Sequence, residues 1–218
     1  MRRNGFTLVE MLVVVVIFSL VAVFLTNYLL TERKQHEAYE LMVQTRNNVL
    51  CALNIITHDL RILGADPEFT NQFNFLYQDN SGNFQTDHFQ MLFTADINPT
   101  IGQLGDGSWS PSTETFGFYL QNNTIYRPTL DIHRNWTPNN DRPLVNGITN
   151  LTFDYRVWDE GTQQIIVVTD PTPSQLDDVV AVDVHVTGQS SQPLPTTESL
   201  YTFSAQTRVT LRTRLIGG

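Results

Sequence analysis

Between Phe6 and Leu63 the chain contains no proline and no glycine. Those are the two residues that interrupt helices most strongly. A run of this length without either is expected to form one continuous helix, and at 1.5 Å per residue it would be roughly 85 Å long. Gly64 and Pro67 then arrive together, a pair of stop signals just past a helix end. The first part of the run, to about Leu30, is nearly all apolar, and from Met11 to Leu25 only Ser19 interrupts it. A bilayer core of about 30 Å needs about 20 such residues, so the helix is far longer than a membrane requires. Its second part must protrude and pack on something. The polar stretch "TERKQHEAYE" marks the exit from the lipid. Beyond it Val49, Leu53, Ile56, Leu60 and Leu63 recur at steps of three and four, an apolar stripe of the kind a sheet covers.

One residue disturbs the apolar part. Glu10 stands at the fifth position counted from Phe6. A carboxylate inside a membrane helix is costly, by about 2.5–3.5 kcal/mol at the helix centre and less toward an end, so it is read as functional by default. No Lys or Arg lies within helical reach of it on the lipid side. An ordinary secretory signal would explain Arg2 and Arg3 as its charged end. Such a signal calls for a small-residue cleavage site after the apolar run, and "FLTNYLLTERK" contains none. The basic residues ahead of the run place the amino end in the cytoplasm and the rest on the exported side.

The segment "GFTLVEMLVVVVIFSLVAV" resembles the amino-terminal signature of type IV prepilins and pseudopilins. That resemblance implies a leader, residues 1–5, removed after Gly5 by a membrane-embedded prepilin peptidase. It implies N-methylation of the new terminus, Phe6, and an assembly role for Glu10. In a filament the Glu10 carboxylate of an incoming subunit could meet the Phe6 amine of a neighbour. Opposite charges attract strongly in low dielectric, and a buried charge left alone is heavily penalised, so the pair would fix axial register. The implied partners are other pilin or pseudopilin subunits through the amino-terminal helix, the peptidase and the membrane. The family often carries a proline near the end of the apolar half; here Asn27 stands in that neighbourhood, so melting of that region in a filament is not implied. The expected location is the inner membrane before assembly, with a single pass and a cytoplasmic amino end, then the periplasmic or extracellular side.

From about Phe69 the sequence reads as strands and loops. "DHFQMLFTAD" is a candidate strand. "TFGFYLQNNTIYRPTL" is a hairpin about Asn122-Asn123, since asparagine tolerates the positive φ of a type I′ turn. "LTFDYRVWDE", "QQIIVVTD", "VVAVDVHVTG" and "LYTFSAQTRVTLRTR" follow as strands, and Val180, Val182, Val184 and Val186 alternate with Ala181, Asp183, His185 and Thr187 at the period of a half-buried strand. "GQLGDGSWSPSTE", "HRNWTPNNDRP" and "DPTPSQLDD" are read as loops. The fold expected is α+β and pilin-like: a long amino-terminal helix packed on an antiparallel β-sheet. The boundaries expected are a leader 1–5, a membrane half 6–30, an amphipathic half 31–64 and a β-rich domain 65–218. "LNIITHDLRILGA", "NNTIYRPT" and "PLVNGITNLTFDYRVWDE" resemble stretches of PilW-like minor pilins and GspJ-like minor pseudopilins. The function implied is a minor pilin that helps assemble or cap a type IV pilus, with a minor pseudopilin of a type II secretion pseudopilus, or a tip-located binding module for a surface, a substrate or DNA, as alternatives.

Composition bears on the partners. The net charge is −9, and loss of Arg2 and Arg3 with the leader makes it more negative still. Such a chain is a poor phosphate-backbone binder, so no nucleic-acid partner is expected. The single cysteine, Cys51, allows no intrachain disulfide and is read as a buried, inert thiol on the helix. The five histidines, His36, His58, His88, His133 and His185, fall in no catalytic or metal motif; His88 and His185 are placed on strands. No enzyme activity, cofactor or metal site is expected. "DNSGN" at 79–83 has oxygen ligands around a glycine but lacks the later bidentate Glu of a calcium loop, Gln90 standing there; an Asx-rich turn is the better reading. Asp177 and Asp178 are taken as a solvated pair. Exposed Trp and Arg are common interface anchors, which makes Trp109, Arg134, Trp136 and Arg142 the candidate contact residues.

Overall fold

A computed structural model of the chain describes residues 8–65, 73–97, 107–110 and 113–211. One helix, α1, runs from Leu8 to Leu60 and spans about 80 Å. It gives way to turns through Gly64, whose φ of +69° lies in the left-handed region that glycine adopts at helix ends. In the apolar half the side-chain hydroxyls are satisfied locally: Ser19 donates to the Val15 carbonyl at 2.5 Å, Thr26 to Ala22 at 2.9 Å and Thr31 to Asn27 at 2.9 Å. This half is exposed along its length, and it is long and apolar enough to cross a membrane. Burial begins at Ala38 and becomes continuous along the stripe Val49, Leu53, Ile56, Leu60 and Leu63. Cys51 corrects the sequence reading: it is exposed, because two residues of helix beyond Val49 turn it about 200° away from the stripe.

The β region forms two antiparallel sheets of four strands each. The first has the order β1 (Gln90–Thr94), β2 (Thr115–Gln121), β3 (Thr124–Arg127), β4 (Arg142–Asn146). The second contains β5 (Ile148–Asp159), β6 (Gln164–Val168), β7 (Val179–Gln189) and β8 (Thr202–Thr210) in the order β6-β5-β7-β8. The split falls at Gly147, with φ +74°, where the chain leaves one sheet for the next. The β2–β3 hairpin turns on Asn122 and Asn123 at φ +50° and +59°, the type I′ geometry. The stripe of α1 and inward residues of both sheets share one core, in which Phe93 stacks on Phe116 and Phe75 meets Phe93 and Tyr155 edge-on. Gly188 lets the helix come close to the sheet: a Cβ there would lie 2.6 Å from Val49 Cγ2 and 3.0 Å from the Gly147 carbonyl.

Three local readings change. The "HRNWTPNNDRP" loop runs directly into β4, an edge strand that tolerates Pro143 because its outer side needs no amide donor. The "DPTPSQLDD" loop contains a short helix, α2 (Pro173–Asp177), which buries Leu176. His88 lies in a bend just before β1. In β7 the alternation holds from Val182 to Val186, but Ala181 is buried and Val180 half-buried. A register shift between Arg156 and Val157 on β5 moves that end of the strand by one face.

Candidate functional site

Two places on the chain carry candidate function, one at each end of α1. At the amino end Gly5 and Phe6 lie outside the described residues. Glu10 is in the first turn of α1 and exposed. The apolar surface around it, Leu8, Val9, Met11, Leu12 and Val13, is about half exposed or more.

At the other end the loops are built on aspartates. Asp79 accepts from the Asn83 and Phe84 amides at 2.6 and 2.8 Å, from the Trp136 amide at 2.8 Å, and from Ser81 Oγ. Burial alone would push its carboxyl up, yet these hydrogen bonds hold it below the usual aspartate value. Segment 79–83 is thus an Asx turn that also anchors the distant Trp136 loop. Asp131 accepts from the His133 and Asn135 amides at 2.8 and 2.9 Å. Hydrogen bonds from Asn135 and from His133 hold it low as well. Asp141 accepts from the Thr129 amide at 2.8 Å, the Tyr119 hydroxyl at 2.5 Å and the Trp136 indole at 3.0 Å. Burial and that carboxylate together push the Tyr119 hydroxyl well above its ordinary value.

The four candidate contact residues separate. Trp136 is half-buried in a second cluster with Phe84, Leu92, Tyr119 and Leu130. It meets Phe84 and Tyr119 edge-on at 5.5 and 5.6 Å. Arg134, at φ +61°, lies with its guanidinium 4.7 Å from the centre of the Trp109 ring, an attractive cation–π arrangement. Arg142 is exposed on β4. Arg134 and Trp109 therefore form one feature, Trp109 and Trp136 pack against the same cluster, and Arg142 lies apart.

Several charge pairs went unrecognised in the sequence although each member sits in a quoted segment. Asp59 of "DLR" pairs with Arg127 of "TIYR", tying the end of α1 to the hairpin. Burial pushes the Asp59 carboxyl up despite Arg127 and His58 beside it. Asp183 of β7 accepts from Arg156 Nε at 2.9 Å and Arg208 Nε at 2.6 Å. Burial opposes its ionisation, and the two arginines still hold it below the usual value. Asp154 lies between His88 and His185, at 3.2 and 3.3 Å. Only the facing of Asp154 with Asp183 across β5 and β7 was legible in principle, from strand register.

These arrangements order loops and join elements. No group of three or more His, Cys, Asp or Glu placed to hold a metal ion occurs among the described residues. No curated protein matches the chain. Residues 1–26 match the family described as the prokaryotic N-terminal methylation motif, and that match, on an α+β body led by a single apolar helix, marks the amino-terminal end of the chain as pilin-like.

Proposed function

We propose that the chain is a minor pilin subunit that takes part in assembling or capping a type IV pilus. The observation that carries this reading is the methylation motif at residues 1–26, joined to a helix that continues well past the membrane-length segment into the core of the β domain. The prepilin peptidase would cut after Gly5, and the new Phe6 amine would be methylated. The subunit would wait in the inner membrane with its amino end in the cytoplasm, then leave the bilayer for the filament as its apolar half exchanges lipid for the helices of other subunits. Glu10 would pair with the Phe6 amine of a neighbour and set the register of that exchange. The β domain carries the loops on Asp79, Asp131 and Asp141. Mass spectrometry of the mature amino terminus tests the processing step. The expected species begins at methylated Phe6, and Gly5→Trp leaves the precursor uncut. A mature chain beginning at Met1, or beyond residue 25, contradicts the reading.

A further inference from the structure

The edge of the second sheet is unusual. Its outermost strand, β6, reads Gln-Ile-Ile-Val-Val from Gln164 to Val168, and among the described residues it pairs on one side only, with β5. Its five residues pair with β5 without a bulge and include no proline and no charge. Those are the devices that normally blunt an edge. On the outer face of the sheet Ile165 stands opposite Trp158, and Val167 opposite Arg156. Trp158 is 42% exposed, Ile165 52% and Val167 54%. The ends of this apolar strip are acidic: Asp159 and Glu160 stand before β6, and Asp170 stands after it. Arg156 is engaged by Asp183.

We infer that β6 is a receiving edge for an extended segment of a partner protein, one that alternates β-branched side chains and carries Lys or Arg at its ends. Such a segment would add a fifth strand beside β6. Its main chain would pair with the outer amides and carbonyls of Gln164–Val168, and its apolar face would cover Ile165, Val167 and Trp158. The basic ends answer the acidic flanks, and the net charge of −9 would speed the encounter. A second copy of the chain does not fit the same edge. Antiparallel pairing of two β6 strands in one continuous sheet requires a two-fold axis normal to that sheet. α1 packs on β7 and β8, so that axis would point the two apolar helix halves in opposite directions. With Leu8–Leu30 in a bilayer, both copies could not be anchored in it.

The test uses the full-length protein in lipid nanodiscs and a labelled synthetic peptide, Lys-Arg-Val-Thr-Val-Thr-Val-Arg-Lys. Fluorescence anisotropy reads binding, and amide hydrogen exchange reads where it occurs. The inference expects saturable binding with slowed exchange at Gln164–Val168. The same peptide N-methylated at alternate residues, and an acid-flanked peptide with Glu and Asp in place of the basic ends, should each bind roughly tenfold more weakly or worse. Val167→Asp adds attraction for the basic ends while removing apolar contact; its complex should also be weaker, with an unchanged melting curve. If that variant is unstable, the three peptides on the wild-type chain decide. Absence of protection at β6, equal binding of the three peptides, or association of the nanodiscs through β6 without peptide would overturn it.

Discussion

Two residues joined across the fold show how much depends on single contacts. Asp59 is 5% exposed, and its partner Arg127 also lies over the Phe116 ring at 5.2 Å. Arg127→Met keeps the bulk and leaves the buried carboxylate with only the exposed His58 beside it. The cost should be about 3 kcal/mol near neutral pH, the low end for breaking a buried pair because Arg127 remains partly solvated. The pH dependence has a definite sign. The folded pKa of Asp59 is raised, so its contribution to stability is fully present below the ordinary aspartate value of about 3.9 and is lost as pH rises through the folded value. Removing the cation raises that value further. The penalty of the variant should therefore shrink toward pH 4 in urea melts; a penalty that does not change with pH would contradict this account. Gly188 makes the complementary point about volume. Gly188→Ala should destabilise by about 1–3 kcal/mol through overpacking. Adding Val49→Ala should restore part of that loss, because Val49 Cγ2 is the nearest atom; strict additivity in the double-mutant cycle would rule out the contact as the cause.

Elements were legible where one physical signal dominated. α1 was readable because fifty-odd residues without proline or glycine leave few alternatives, and its buried stripe because the 3.6-residue period survives in the letters. The Asn-Asn hairpin was readable from turn chemistry. β4 was not, because Pro143 and Asn146 argue against a strand and only its place at the sheet edge excuses them. Cys51 was misplaced because a thiol is more often buried than not, whereas its angle on the helix decided the matter. The loop site was half legible. The residue types of "HRNWTPNNDR" were visible, but that Asp79 and Asp141 would pull Trp136 into a cluster depends on contacts 57 and 5 residues apart. The element boundary itself can be tested. A chain beginning at Thr31 lacks the exposed apolar run and keeps the helix from Ala38 onward, where burial starts. It should be soluble, with a cooperative thermal transition and mixed helix and sheet by circular dichroism. Aggregation, or a disordered spectrum, would show that the apolar half is needed for the β domain to fold.

At the scale of the whole molecule, the two ends of α1 have separable tasks on the proposal above: the amino end would address membrane and filament, while the other end packs into the core of the β domain. Glu10 lies far along the helix from the first buried residue, Ala38, so Glu10→Ala should leave the melting of the β domain unchanged. Removing a carboxylate from a membrane helix should leave anchoring intact or slightly improved. What the substitution removes, on the proposal above, is the group that receives a neighbour's Phe6 amine. The most direct measurement is quantitative blotting of sheared filament and membrane fractions from cells carrying wild type, Glu10→Gln and Glu10→Ala. The account predicts wild-type protein in the filament fraction, with both variants depleted there and accumulated in the inner membrane. Equal amounts of all three in filaments would contradict the pairing, and absence of the wild-type protein from any filament would contradict the assignment as a pilin subunit.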